Sequence, residues 1–184
     1  MNELRMSALR ARREMDPDER AELSELICER VVRSRIFFAS KAIACYLPMA
    51  DEVDTRGIIE AGWRANKRIF VPVLRKRGKM LFCELDHGTS LIRNRYGVWE
   101  PIDGALIQPR QLDVAITPTV AFDENNNRIG MGGGYFDRCF AYLRLRQFWF
   151  RPKLIGVAFE CQKVEKISPN PWDIPLYRVF SDTS

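Results

Sequence analysis

A chain of 184 residues with 29 Lys and Arg against 24 Asp and Glu, a net charge of +5, has enough length for one domain with a sizeable core. The basic excess is small and interleaved with acids, which disfavours a nucleic-acid-binding tail, and no apolar stretch approaches a membrane span. Five scattered cysteines without a Cys-x-x-Cys pair read as reduced thiols of a cytoplasmic protein, and with His87 the only histidine neither a clustered zinc site nor a His-based triad is expected.

From Leu4 to about Arg35 the pattern is helical, broken once at Asp16-Pro17, where Asp16 suits an N-cap, Pro17 the first helical position and Glu19 the carboxylate of a capping box. Leu23, Leu26, Ile27 and Val31 then form an apolar stripe. Ala42 to Leu47 reads as a buried strand, Thr55 to Ala65 as a helix facing inward through Ile58, Ile59 and Trp63, and Ile69 to Leu74 as a second strand. That is a βαβ unit with a right-handed crossover and parallel pairing. Met80 to Leu85 is expected to pair antiparallel with its predecessor through a turn at Gly78, and His87, between Asp86 and Gly88, to sit in a turn. Residues 86 to 111 look irregular. Leu112 to Thr117 resumes as a strand, Asp123 to Asn127 is a turn, Tyr135 to Leu145 a helix candidate and Leu154 to Phe159 a late strand. The expected fold class is α/β: a three-layer α/β/α single domain over residues 1–184 with a mostly parallel, Rossmann-like central sheet. Helices of about residues 3–35 pack on that core, and ligands are expected at the carboxyl ends of the strands.

The segment Arg128-Ile-Gly-Met-Gly-Gly-Gly-Tyr-Phe-Asp-Arg138 stands out. No Lys-Ser or Lys-Thr follows its glycines, so it is not a Walker loop, and Tyr135 occupies the position of the third glycine of a dinucleotide fingerprint, where a turn rather than a strand is expected to precede the loop. Glycine amides leading into a helix, flanked by arginines, form an anion site, and Asp137 can either hold Mg²⁺ beside phosphates or complement the helix dipole. Spacing alone does not separate a phosphate cradle from a structural turn.

The same loop resembles the signature of the 5-formyltetrahydrofolate cyclo-ligase family, filled here by Asp123, Arg128, Ile129, Gly130, Gly132, Gly134, Tyr135, Phe136, Asp137 and Arg138. Leu47 to Thr55 is similar to the family's substrate segment, Gly97 to Pro101 to its Gly-x-x-Glu-Pro element, Pro118 to Asp123 to the strand end before the loop and Trp172 to Pro175 to its acidic C-terminal segment. The resemblance spans about residues 3 to 181. It implies a ligase that uses MgATP to convert 5-formyltetrahydrofolate to 5,10-methenyltetrahydrofolate, ADP and phosphate, by phosphorylation of the formyl oxygen and attack of N10.

Residue by residue, it implies an ATP-binding set of Arg5, Arg128, Ile129, Gly130, Met131, Gly132, Gly133, Gly134, Tyr135 and Phe136. Leu47, Glu52, Met131, Gly132, Gly133, Gly134 and Tyr135 become the folate contacts, Asp137 and Asp173 the Mg²⁺ ligands, and Arg128, Tyr135 and Asp137 the catalytic residues. Arg128→Ala and Asp137→Ala are then expected to lower turnover severely while leaving the fold intact. Two departures from the pattern matter. The first member of the family's N-terminal basic pair would fall at Met1, leaving Arg10, Arg12 and Arg13 as substitutes or as a solvated helix face, and Gly133 stands where some members have lysine. Trp99 and Trp172 are further aromatics able to stack on a ligand or to fill core. Partners are small molecules, with no nucleic acid or membrane, in a monomer or weak homodimer. The competing readings are a nonenzymatic nucleotide- or nucleic-acid-binding module and another ATP-dependent or sugar-phosphate enzyme on a related scaffold.

Overall fold

The computed structural model describes residues 1–75, 78–145 and 151–183. It begins with three helices, α1 (Asn2–Glu14), α2 (Pro17–Val32) and α3 (Arg35–Ala39). The break between the first two lies where Asp16 accepts the N–H groups of Asp18 and Glu19 at 2.9 and 3.3 Å. Among the described residues no bond returns from the Glu19 side chain, so the expected capping box is one-sided. The inward stripe of α2 is Ser24, Ile27, Cys28 and Val31, while Leu26 is 38% exposed. Ser24 replaces the leucine because its hydroxyl is satisfied, donating to Arg20 O and accepting from Asp54 N–H.

The strands of the main sheet are β1 (Ala42–Ala44), β2 (Arg68–Leu74), β3 (Met80–Glu84), β6 (Leu106–Ile107), β7 (Val114–Pro118), β10 (Lys153–Val157) and β11 (Arg178–Phe180). Helix α4 (Arg56–Arg64) makes the crossover from β1 to β2, which pair in parallel. From one edge the order is β11, β10, β7, β1, β2, β3, β6. The first five are mutually parallel, and β3 and β6 extend the sheet antiparallel, β3 on β2 as expected. In chain order the parallel strands lie second, first, third, fourth, fifth, a doubly wound arrangement whose winding reverses between β1 and β7. In doubly wound folds such a reversal, at the carboxyl ends of the two strands, is where ligands bind.

Alternation along the strands gives the sheet two apolar faces. Ile43, Ile69, Val71, Val114, Ile116, Ile155 and Val157 pack against α2, α3 and α4. Ala44, Phe70, Phe82, Ala115 and Leu154 face the other way, against helix α5 (Tyr135–Cys139), Phe140 and the C-terminal residues Ile174 and Leu176. Phe140 is fully buried 5.9 Å from the ring of Phe82, and burial of such a side chain stabilises by about 1.5–3 kcal/mol. This contact fixes α5, and with it Asp137 and Arg138, over the sheet. None of the helices among the described residues is long and apolar enough to cross a membrane.

Three local expectations need correction. Residues 86–111 hold an antiparallel ribbon, β4 (Leu91–Arg93) with β5 (Trp99–Pro101), besides β6; β4 is exposed throughout and so carries no alternating signal. The helix from Tyr135 ends at Cys139 and gives way to a tighter 3-10 turn over Ala141–Leu145. A two-residue strand, β9 (Arg128–Ile129), precedes the glycines and pairs with β8 (Ala121–Phe122), where only a turn was expected. Strand β11 is too short for a periodicity to mark it.

Candidate active site

Asp123 organises the hairpin that delivers the glycine loop. Its carboxylate accepts the N–H groups of Asn125, Asn127 and Ile167 and the Asn127 side-chain amide, all at 2.9–3.0 Å. Burial opposes its charge, but the Asn127 side chain and the backbone donors outweigh that and hold the carboxyl below its usual range. Asp123 is therefore occupied with structure. Strand β9 then turns Arg128 inward, its side chain only 5% exposed, and the chain enters the glycines.

Three guanidinium groups press against that loop. Arg5 Nε donates to Gly130 O at 2.9 Å, linking α1 to the loop. A methyl group on Gly130 would lie 3.1 Å from Arg128 Nη1, and one on Gly134, where φ is +61°, would lie 2.8 Å from Arg138 Nη1. Gly132, at φ +99°, faces the Arg5 guanidinium, and a side chain on Gly133 would meet the Tyr135 ring at 2.8 Å. Positive φ thus requires glycine at 132 and 134, and the Tyr135 ring leaves no room for a side chain at 133. Ile129 is buried beside Ala8, Leu9 and Val120, and Phe136, half-buried, turns its ring to Phe140. Met131 is 58% exposed at the tip of the loop.

Asp137 answers the positive charge. Its Oδ1 accepts Arg128 Nη2 at 2.8 Å and the Ile174 N–H at 3.3 Å, so the residue following Asp173 is bonded to the Asp137 carboxylate. Asp173 in turn uses Oδ2 to accept the backbone and side-chain N–H groups of Asn170. Among the described residues each acid has one oxygen committed and one without a hydrogen bond. That donor set fits Mg²⁺, which uses one or two carboxylates and completes its shell with phosphates and water; no larger acidic cluster is present among the described residues. Arg128 and Asp137 form a largely buried pair, and its Nε has no partner. Deleting either charge strands the other, at about 3–5 kcal/mol for a buried pair, so the expectation that both alanine variants leave the fold undisturbed is revised.

Across the switch point lies the loop after β1. Leu47 packs half-buried against the main core, and Glu52 accepts the Met49 N–H at 3.1 Å. Burial pushes the Glu52 carboxyl above its ordinary range, against the pull of Met49 N–H and Arg12. Helix α1 joins the two loops: Arg5 reaches Gly130, and Arg12, seven residues or about 10 Å further along, donates to Asp51 Oδ2 at 2.9 Å. Arg12 is buried against Asp51, whereas Arg13, which shares Asp51, and Arg10, which pairs with Glu14, are exposed, so the solvated-face reading fails for Arg12 alone.

The β4–β5 ribbon supplies groups that sequence alone did not single out. Tyr96 OH lies 2.8 Å from Tyr135 OH, the rings meet edge to face, and Arg95 donates to Tyr96 OH at 2.9 Å. This pairing lowers the Tyr96 phenol and raises that of Tyr135. Glu100 secures the ribbon, accepting Leu74 N–H at 2.9 Å and Asn94 Nδ2 at 2.8 Å. Trp99, under the Arg93 guanidinium, and Trp172 are 41% and 59% exposed, so neither fills core. No sequence signal joined Tyr96 to Tyr135, 39 residues away.

Fold and site define a doubly wound α/β protein with an arginine-lined glycine loop and two half-committed carboxylates. The chain belongs to the 5-formyltetrahydrofolate cyclo-ligase family, whose model matches residues 1–182. The 5-formyltetrahydrofolate cyclo-ligase of Escherichia coli (strain K12) is 37% identical over 176 residues, covering 92% of this chain and 93% of that protein. That of Haemophilus influenzae is 36% identical over 147 residues, covering 77% of this chain and 75% of the relative. Among solved structures, the 5,10-methenyltetrahydrofolate synthetase of Aquifex aeolicus superposes with a TM-score of 0.85 at 27% identity, covering 100% of this chain and 90% of that one. The synthetase of Mycoplasma pneumoniae gives 0.76 at 25% identity, with 98% of both chains covered. The chain is an enzyme, a ligase acting in folate metabolism.

Proposed function

We propose that the glycine loop binds the phosphates of ATP while the loop after β1 holds 5-formyltetrahydrofolate, and that the enzyme closes the formylfolate to 5,10-methenyltetrahydrofolate with release of ADP and phosphate. The observation that carries this reading is the convergence of Arg5, Arg128 and Arg138 on exposed glycine backbone beside Asp137 and Asp173. Magnesium held by the open oxygens of Asp137 and Asp173 would offset phosphate charge. Glu52 would accept N–H groups of the pterin edge, and Leu47 would pack against it.

A formamide carbon is a poor electrophile and its oxygen a poor leaving group. In the proposed reaction the formyl oxygen attacks the γ-phosphorus, ADP departs, N10 attacks the activated carbon and loses its proton, and the C–O bond breaks with phosphate as the leaving group. The protein contributes alignment and charge stabilisation, which amides and guanidiniums supply without a histidine. Tyr135, held by Tyr96, would face the reacting centre. Burial pushes the thiols of Cys28, Cys45 and Cys139 up to about 12, and all five cysteines are unpaired, which fits a reducing cytoplasm and no thiol chemistry. The test is to mix the protein with 5-formyltetrahydrofolate and MgATP and follow the methenyl chromophore and ADP. Equal yields are expected; folded protein that forms neither product would overturn the proposal.

A further inference from the structure

The β4–β5 ribbon is tied to the sheet at its base and to the glycine loop at its tip. At the base, Glu100 Oε1 accepts Leu74 N–H, at the end of β2, at 2.9 Å and Asn94 Nδ2 at 2.8 Å. Asn94 then shapes the tip. Its Oδ1 accepts the N–H groups of Tyr96 and Val98 at 2.8 and 3.2 Å, and its carbonyl accepts the N–H of Gly97, which stands at φ +76°. A continuous run of hydrogen bonds thus leads from the sheet to Tyr96, whose hydroxyl ends 2.8 Å from that of Tyr135. Tyr96 is 48% exposed, so this anchoring does not serve to fill core.

On the other side of the contact the Tyr135 ring is held in place. It follows Gly134 at the start of α5, lies under the Arg138 guanidinium at 5.1 Å and closes off the space beside Gly133. A fixed ring still leaves its phenolic hydrogen free to turn. Two phenols bring two hydrogens, and the bond between their oxygens uses one of them. Arg95 Nη2 donates to Tyr96 Oη at 2.9 Å, with its guanidinium over the Tyr96 ring at 4.8 Å, so the Tyr96 oxygen already serves as an acceptor. The arrangement in which each group donates to the next runs from Arg95 to Tyr96 to Tyr135, and bonds aligned in this way strengthen one another. The last hydrogen of the chain, on Tyr135, has no acceptor among the described residues and is left for a ligand oxygen.

We propose that Tyr96 is a positioning residue for the reaction: by donating to Tyr135 it turns the Tyr135 hydrogen toward the oxygens of the phosphoryl group in transfer. This rests on the reading of the glycine loop as the site of phosphoryl transfer and deepens it. In this role Tyr96 acts through Tyr135 and need not touch substrate. A hydrogen bond that is strongest in the transfer step raises kcat and leaves ground-state binding little changed.

The experiment is a double-mutant cycle on kcat and KM with Tyr96→Phe, Tyr135→Phe and the two combined. Each change removes one hydroxyl, and thermal midpoints verify folding. Tyr96→Phe is expected to lower kcat about tenfold and Tyr135→Phe about thirtyfold or more, with KM for ATP and for the folate within about twofold in Tyr96→Phe and the double variant no slower than Tyr135→Phe alone. Three results would overturn the proposal: a Tyr96→Phe kcat within about twofold of the wild type, a fall in the double variant equal to the product of the two single falls, or a raised KM in place of a lowered kcat. The second would give Tyr96 a role separate from Tyr135, and the third a part in ground-state binding. Should the wild type form no methenyl product, the folate reading fails separately, and equilibrium binding of MgADP with aluminium fluoride, a mimic of the phosphoryl group in transfer, decides Tyr96. Binding weakened about tenfold in each single variant and no further in the double supports the proposal; binding unchanged by Tyr96→Phe, or absent from the wild type, refutes it.

Discussion

The loop after β1 and the loop after β9 meet at the same switch point but treat charge in opposite ways. Around Glu52 burial raises a carboxyl toward protonation, with one backbone donor on it and Arg12 engaged by Asp51. Around Gly130–Gly134 the chain gathers three guanidiniums and leaves its own amides toward solvent, with Asp137 bonded to the Arg128 guanidinium. A single helix, α1, ties both loops through Arg5 and Arg12. The difference teaches that one fold can set a buried carboxyl and a cluster of guanidiniums over exposed backbone in neighbouring loops.

The strongest way to break this comparison is to remove the carboxylate of the anion loop. Asp137→Asn keeps the shape and both acceptor bonds feasible, yet kcat is expected to fall by roughly a hundredfold or more, as for loss of one preorganised transition-state contact. Steady-state kinetics checks it, and a change under threefold would remove Asp137 from the mechanism. On the other loop, Glu52→Gln should raise the folate KM about tenfold to a hundredfold, the range for losing a charged hydrogen-bond acceptor, with the ATP KM unchanged.

Glu52 also has a signature in stability. Its folded carboxyl is raised, so the folded state binds the proton more tightly, and stability falls as pH rises from the unfolded toward the folded value. Above that window the buried charge is a burden. Glu52→Gln is therefore expected to raise the thermal midpoint at neutral pH while weakening folate binding, and a lowered midpoint would contradict the account.

Asp123 sharpens the contrast from the structural side. Its lowered carboxyl contributes stability that is complete above the unfolded value and lost as pH falls through the folded one. Asp123→Asn should cost about 2–3 kcal/mol in denaturant unfolding, because a single amide oxygen cannot serve four donors, while kcat per folded molecule stays within a few-fold. The smallest effect is expected at Arg5→Ala, which removes one hydrogen bond to Gly130 O and should raise the ATP KM several-fold, about 1 kcal/mol.

Much of this was legible along the chain. Asp16-Pro17 marked a helix start, apolar runs marked the parallel strands, and the glycines between two arginines marked a loop of close backbone approach, because each signal is local. What stayed hidden depends on contacts between distant residues. Arg12 reads as a solvated helix residue until Asp51 is brought to it, and Tyr96 as an ordinary aromatic until Tyr135 is. Ile129 and Phe136 fell inside the motif yet face the core, since a motif records neighbours in sequence and not the direction of a side chain.

The division of labour between the two loops is tested most directly by equilibrium binding of a nonhydrolysable ATP analogue and of 5-formyltetrahydrofolate, each alone, to the wild type, Glu52→Gln and Asp137→Asn in the presence of Mg²⁺. The account predicts that Glu52→Gln weakens the folate and not the nucleotide, and that Asp137→Asn weakens the nucleotide and not the folate. Loss of both ligands in either variant, or the reverse pattern, would contradict it.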